Sequence, residues 1–404
     1  MKFRGDFILA AVLLPLITPA CSTPQRMVAP AYASMPQANV GVSNVRFLVA
    51  RDTAAFQAEA LNSLAKEKAW LAAQGSTGPL PPSYFLAISG GGDNGAFGAG
   101  LLNGWTASGT RPEFKMVTGV STGALIAPFA FLGSRYDGAI RKFYTTISAK
   151  DIFKSRGMLK GVMSDAMADS RPLANLIAQN TDQALLDAIA AEYAKGRILL
   201  VGTTDMDSLE PVIWNMTAIA ASKSPGSLAL FRKVLLASAS IPGAFPPVML
   251  DVNADGTHHQ EMHSDGGTVA QVFVFPPSIN ASLIRETAPR RRVLYVIRNA
   301  RFDSPWESVP RKTMTIAARA IGSLTTTQGI GDLYRIYSSA QRDGIEFNLA
   351  YIPSTFTKHP KEEFNTAYMR ELYAAGERMA AAGYKWEKYP PGYERPVGAD
   401  VQAK

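Results

Sequence analysis

One stretch constrains this chain more than any other. Phe85-Leu86-Ala87-Ile88-Ser89-Gly90-Gly91-Gly92-Asp93-Asn94-Gly95 is followed shortly by Gly119-Val120-Ser121-Thr122-Gly123. The apolar residues 84–88 read as a buried strand that runs into a tight loop. Glycine tolerates positive φ, so the amides of Gly90, Gly91 and Gly92 can point together at an oxyanion with no Cβ in the way. The small apolar residues after Gly95 suit a helix packed closely on a sheet, and its N-terminus adds partial positive charge where an anion would sit. Residues 115–118 read as a second strand. Gly119 and Gly123 then give room for a strained turn that presents Ser121 as a nucleophile. An apolar helix follows at 124–131, and the amide of Thr122 is the expected further oxyanion donor.

Competing readings carry less. Gly90-Gly91-Gly92-Asp93-Asn94-Gly95 also satisfies the dinucleotide fingerprint, but that fingerprint expects an acidic residue at the end of the next strand. Here that strand end carries Ser121 between glycines. A nucleophilic serine needs a base, and the histidines are His258, His259, His263 and His359. His359 stands in a charged loop ahead of a helix. It would complete the Ser-Asp-His order of an α/β-hydrolase triad with Ser121 and Asp265, although order alone says nothing of geometry. The other histidines lie on a hairpin turning at 253–256 and read as surface or packing residues. Asp265-Gly266-Gly267 follows that hairpin. An aspartate at a strand end before two glycines can lean toward a neighbouring strand with little obstruction, and partial burial would make it a better base. As a bare turn signal, Asp-Gly-Gly is equally ordinary.

Taken together, the motifs resemble those of the bacterial patatin-like phospholipases. Gly90-Gly91-Gly92-Asp93-Asn94-Gly95 is similar to the family's oxyanion block and Gly119-Val120-Ser121-Thr122-Gly123 to its nucleophile block. Asp265-Gly266-Gly267 is similar to its third block, and the Ala-Ser-rich segment 237–247 has its counterpart too. The resemblance implies a Ser121–Asp265 dyad cleaving fatty-acyl esters of membrane lipid or lysolipid. It also implies a three-layer α/β/α fold with a mostly parallel central sheet. Two positions depart from the family pattern: Ser89 stands where the family often has Asp, and Asn94 where it often has a basic residue. A catalytically degenerate, lipid-binding lipoprotein is the non-enzymatic alternative.

Residues 1–21 read as a secretory signal: Lys2 and Arg4, then an apolar run too short to span a bilayer, then small residues before Cys21. A lone cysteine there resembles a lipoprotein acceptor, so the expectation is lipidation at Cys21. That implies a bacterial envelope location, on the outer membrane or the periplasmic face, or secretion if the anchor is absent. Residues 22–44, rich in Pro, Ala, Ser and Gln, read as a flexible tether.

The rest reads as one domain: a helical extension at 45–82, a catalytic core at 83–275, and C-terminal strands and helices at 276–404 that complete it. Helices are expected at 51–74, 171–179, 182–195, 314–340 and 366–382, and strands at 198–201, 212–215 and near Val293 and Phe347. Thr181 is the expected N-cap of the second of the central helices. The methionine-rich stretch 151–169 reads either as an apolar lid or as ordinary helix packing. The net charge of +8 is spread out except at Arg290-Arg291-Arg292, which reads as a solvated strand start. No nucleic-acid motif accompanies that charge, so nucleic acid is not an expected partner. The chain has one cysteine and no H-E-x-x-H pattern, so neither a metal nor an organic cofactor is expected.

Overall fold

In the computed structural model the described residues are 24–156, 164–279, 287–303 and 306–393. The signal, Cys21 and residues 157–163 of the lid candidate lie outside them. Eleven helices order the description: α1 (Thr53–Ala73), α2 (Gly95–Ala107), α3 (Thr122–Leu132), α4 (Asp137–Thr146), α5 (Ala149–Ile152), α6 (Arg171–Asn180), α7 (Gln183–Ala194), α8 (Met216–Ala221), α9 (Ser227–Ser238), α10 (Thr313–Asp343) and α11 (Thr366–Ala381). The strands are β1 (Arg46–Leu48), β2 (Ser83–Ile88), β3 (Met116–Val120), β4 (Lys154–Ser155), β5 (Ala168–Asp169), β6 (Ile198–Asp205), β7 (Glu210–Asn215), β8 (Val248–Ala254), β9 (Thr257–Asp265), β10 (Arg292–Arg298) and β11 (Glu346–Tyr351).

The main sheet runs β1-β7-β6-β3-β2-β10-β11, with the β8–β9 hairpin joined to β6. From β6 through β11 the five central strands are parallel. Strands β1, β7 and β9 run antiparallel to their neighbours. Continuous apolar runs suit strands covered on both faces, and β3 and β6 are buried throughout. One face packs α2, α3 and α11 around Phe97, Leu101, Phe131 and Met369. The other packs Phe56 of α1 and Leu333 and Ile336 of α10 on Ala87, Leu200 and Val296. This is the three-layer α/β arrangement that the motifs implied.

Two local expectations are corrected. Asp182, not Thr181, caps α7, because its carboxylate accepts from the Leu185 amide at 2.8 Å. The arginine triplet is largely not a solvated strand start. Arg290 forks onto buried Glu67 at 2.6 and 2.9 Å and Arg292 is itself buried, leaving only Arg291 outside, paired with Glu346.

The register of β6 positions everything that follows. Its first half pairs with β3 as far as Val120↔Gly202. Its last residues pair with β9, beginning at Thr203↔Asp265. Since β7 occupies the opposite side of β6 along the same residues, β9 arrives head-on against the end of β3. The two strands end on consecutive rungs of one ladder, a spacing of about 3.3 Å.

Candidate active site

Ser121 sits at that junction with φ +55° and ψ −125°, a left-handed conformation that costs a non-glycine residue energy. The strain is held by close packing. A Cβ on Gly123 would lie 2.3 Å from the Ile88 carbonyl oxygen, and one on Gly119 would lie 2.4 Å from that of Gly123. Only glycine lets strand, elbow and helix approach this closely. Ser238 closes the turn: its hydroxyl accepts from the Ser121 amide at 3.0 Å and donates to the Gly202 carbonyl at 2.7 Å.

Asp265 is held by the same segment, since its amide donates to the Ser240 carbonyl at 2.9 Å. Its carbonyl accepts from the Thr204 hydroxyl at 2.9 Å. One carboxylate oxygen, Oδ1, accepts from the Gly267 amide at 2.7 Å. The other, Oδ2, is buried and has no partner among the described residues. Burial pushes the Asp265 carboxyl up to about 7, while the nearby Ser121 hydroxyl and the Gly267 amide pull the other way. The hydroxyl is thus close enough to affect the carboxyl, though the two make no hydrogen bond of ordinary geometry. Gly266 lies flat on the junction: a Cβ there would meet the Gly202 carbonyl oxygen at 2.5 Å.

The glycine loop is bound to the far side of Ser121. Gly91 and Gly92 both have positive φ, at 152° and 57°. Buried Asn299, at the end of β10, fastens the loop. Its amide N–H donates to the Ser89 hydroxyl at 2.8 Å, its side-chain nitrogen to the Ser89 carbonyl at 3.0 Å, and its side-chain oxygen accepts from the Gly98 amide at 3.0 Å. Ser89 is therefore a structural partner of Asn299. Asn94 accepts from the Tyr368 hydroxyl at 2.6 Å. Neighbouring Asp93 is pushed up to about 6 by burial.

Of the four proposed oxyanion donors, one is corrected. The Gly90 amide is already spent on the Gln271 carbonyl at 2.9 Å. Among the described residues no acceptor takes the amides of Gly91, Gly92 or Thr122. Gly95 keeps Thr122 in place, since a Cβ there would lie 2.2 Å from the Thr122 hydroxyl oxygen. That hydroxyl in turn hydrogen-bonds Tyr144. Gly267 abuts the Gln271 side chain, whose nitrogen donates to the Gly267 carbonyl at 2.6 Å. Gln271 thereby joins the glycine loop to the Asp265 turn.

Beside Ser121, Gly92 and Thr122 opens a small cavity of about 30 Å³, walled by Leu125, Phe143, Ile147, Leu173, Phe245 and Phe364. It has room for roughly two waters. His359 is exposed; it acts on Asp303 and is not among the groups that shift Asp265.

Among the described residues one buried cluster, Asp205, Glu261 and His263, has residue types that could hold a metal. Arg46 already pairs with Glu261, and the His263 ring faces the Thr203 hydroxyl at 3.0 Å and Glu261 at 3.3 Å. Burial works against the Glu261 carboxylate, but His263 and Arg46 outweigh it and hold its pKa low. Burial pushes the Asp205 carboxyl up, and its Oδ2 has no partner among the described residues. Glu261 Oε1 is likewise without a partner among the described residues, and His263 is a fully buried member of the cluster rather than a surface residue.

Fold and site together define an α/β acyl hydrolase. Residues 86–276 match the family model of the patatin-like phospholipases. Through these residues the chain carries a patatin-like phospholipase domain. No curated protein sequence matches it. Among solved structures it is similar to VipD from Legionella pneumophila at 10% identity and a TM-score of 0.37, over 75% of this chain and 67% of that one. It is similar to human GIVD cytosolic phospholipase A2 at 11% identity and a TM-score of 0.30, over 67% of this chain and 50% of that one. The chain thus spans half the length of the second, and at these scores neither structure bears on what this chain does.

Proposed function

We propose that the chain cleaves fatty-acyl esters of phospholipid or lysolipid with Ser121 as nucleophile and Asp265 as its base. The reading is carried by one observation: a strained serine and a buried, half-satisfied carboxylate close consecutive rungs of β6. Ser121 Oγ attacks the ester carbonyl as Asp265 takes its proton. The amides of Gly91, Gly92 and Thr122 receive the oxyanion, and the proton passes to the leaving alcohol. Water activated by Asp265 then attacks the acyl-enzyme and releases the fatty acid. A carboxyl poised near neutrality serves both steps, being ionised often enough to accept and neutral often enough to donate. The cavity beside Ser121 is too small for an acyl chain, so substrate enters by displacing the phenylalanines that wall it.

A histidine triad lacks support, because His359 makes no contact with Asp265 among the described residues. We place the enzyme at a bacterial envelope membrane, tethered through lipid on Cys21; an intact mass showing an unmodified mature N-terminus contradicts that placement. Fatty-acid release from phospholipid vesicles by the purified chain tests the activity. Ser121→Ala and Asp265→Asn are each expected to lose roughly 10⁴-fold or more while staying folded. Undiminished turnover in either variant refutes the dyad.

A further inference from the structure

Helix α10 divides into two unlike halves. From Gly329 onward Leu333, Ile336, Tyr337 and Ala340 are buried against the sheet. Before that point the helix leaves the fold. It passes the strand ends at residues 326–329, where Thr326 faces Arg298 at the end of β10 and Gln328 donates to the Thr268 carbonyl at 3.4 Å. Thr268 is three residues beyond Asp265, so the helix departs beside the catalytic turn. Residues 313–325 then project past the sheet edge that carries Ser121, an arm of about 20 Å at 1.5 Å per residue.

The arm presents large apolar side chains with nothing covering them among the described residues. Met314, Ala317, Ile321 and Leu324 fall on one stripe at the i, i+3, i+7, i+10 spacing of a helix. Met314 is 72% exposed, Ile321 63% and Leu324 71%, and Trp306 just upstream is 89% exposed. A folded chain does not strand such side chains in water without a use for them. The opposite face carries Lys312, Thr315, Arg319 and Ser323 together with Ile316, itself 51% exposed, and Arg311 precedes Lys312 in the chain. Glu307 offsets one of these cations by pairing with Arg319 at 3.6 Å.

Resting on the acyl-hydrolase reading for its biological sense, we propose that this arm docks on an anionic lipid surface and so holds the mouth of the Ser121 site against the bilayer. Three observations favour a bilayer over a second copy of the chain. Basic residues interleaved with exposed Met, Ile and Leu side chains, with Trp306 just upstream, are what a helix lying in a charged interface needs. Four large side chains with intervening alanines fall well short of the roughly 800 Å² per partner of a stable dimer. The arm also leaves the fold at the catalytic edge, where an interfacial substrate has to be met.

The test uses the full chain carrying Cys21→Ser, so that no lipid anchor contributes. Sedimentation with vesicles of phosphatidylglycerol and phosphatidylcholine compares it with the same chain bearing Met314→Ser, Ile321→Ser and Leu324→Ser. The account expects at least about 10-fold weaker binding by the triple variant, weaker binding of the parent at high salt, and unchanged hydrolysis of a soluble short-chain ester. Brominated lipid should quench parent fluorescence, and Trp306→Phe should remove that quenching; this reading does not depend on the triple variant folding. Equal vesicle binding by parent and triple variant overturns the proposal, as does quenching that survives Trp306→Phe. A parent dimer that the triple variant dissociates, with vesicle binding unmoved, overturns it in favour of self-association. Arm-dependent binding by a chain that hydrolyses no ester leaves the arm standing and removes the acyl-hydrolase reading alone.

Discussion

Asp265 pairs with Thr203 on β6, one rung beyond the Gly202 that pairs with Val120, the residue before Ser121. Two residues far apart in sequence are thus brought together by backbone ladders rather than by flexible loops. The rung on the Val120 side is bare because Gly202 has no side chain. A Cβ there would meet Phe273 at 3.0 Å and Val120 at 3.4 Å. Placement by main-chain hydrogen bonds fixes a reacting pair tightly, and misplacement of about 1 Å can cost on the order of 10²-fold in rate.

Activity should follow the ionisation of Asp265, whose carboxyl burial pushes up to about 7. The base works as the anion, so kcat/KM is expected to fall about tenfold per pH unit below about pH 7 and to level off above it. A rate that stays flat down to pH 5 contradicts a carboxylate base in this environment.

The same shift should appear in stability. The folded state holds the Asp265 proton more tightly than the unfolded chain does. Between the unfolded carboxyl value and about 7, therefore, stability declines as pH rises. Asp265→Asn removes the buried charge, so it should stabilise the protein more at pH 8 than at pH 5. Denaturant melts of both proteins at the two pH values check this; an equal or reversed difference contradicts it.

Gly123→Ala places a Cβ 2.3 Å from the Ile88 carbonyl oxygen, backbone that cannot swing aside. We expect a loss of about 3 kcal/mol in chemical denaturation, with activity abolished. Gly109→Ala makes a useful contrast: its Cβ would meet nothing within 4 Å, so it strains only its own φ of +71° and should leave activity intact.

Asn299 touches no substrate atom in this account, yet its side chain ties the Ser89 carbonyl to the Gly98 amide of α2, two hydrogen bonds that Asn299→Ala removes. Asn299→Ala should lower kcat on the order of 10²-fold with a smaller change in KM, because it moves the oxyanion amides rather than the acyl cavity. Steady-state kinetics on a soluble ester separates the two. His359→Ala, by contrast, should stay within about twofold of the parent, as expected of an exposed surface substitution.

Much of this was legible in the sequence because glycine carries positional meaning. Gly119, Gly123 and Gly266 are each required by a close backbone approach, and a run of glycines between apolar segments announces such approaches. The strand and helix sequence followed from periodicity for the same reason. What stayed hidden depended on partners distant in the chain. Nothing local says that the Gly90 amide is taken by Gln271, that Ser238 and Ser240 hold the two reacting residues, or that Asn299 binds the loop. The alternation Ala237-Ser238-Ala239-Ser240 was the one available signal, since small hydroxyl residues at a helix end suit close polar packing. Periodicity also gave α10 as one helix without showing that half of it stands clear of the fold, because amphipathic spacing does not name what covers the apolar face.

The most direct measurement is covalent trapping. Incubating the purified chain with a fluorophosphonate and sequencing its peptides by mass spectrometry should find a single adduct on Ser121. Its formation should slow on the order of 10²-fold or more in Asp265→Asn, as expected when the base that activates the nucleophile is removed. An adduct on another residue of a hydrolytically active chain, or labelling of Ser121 at full rate without the Asp265 carboxylate, would contradict the account.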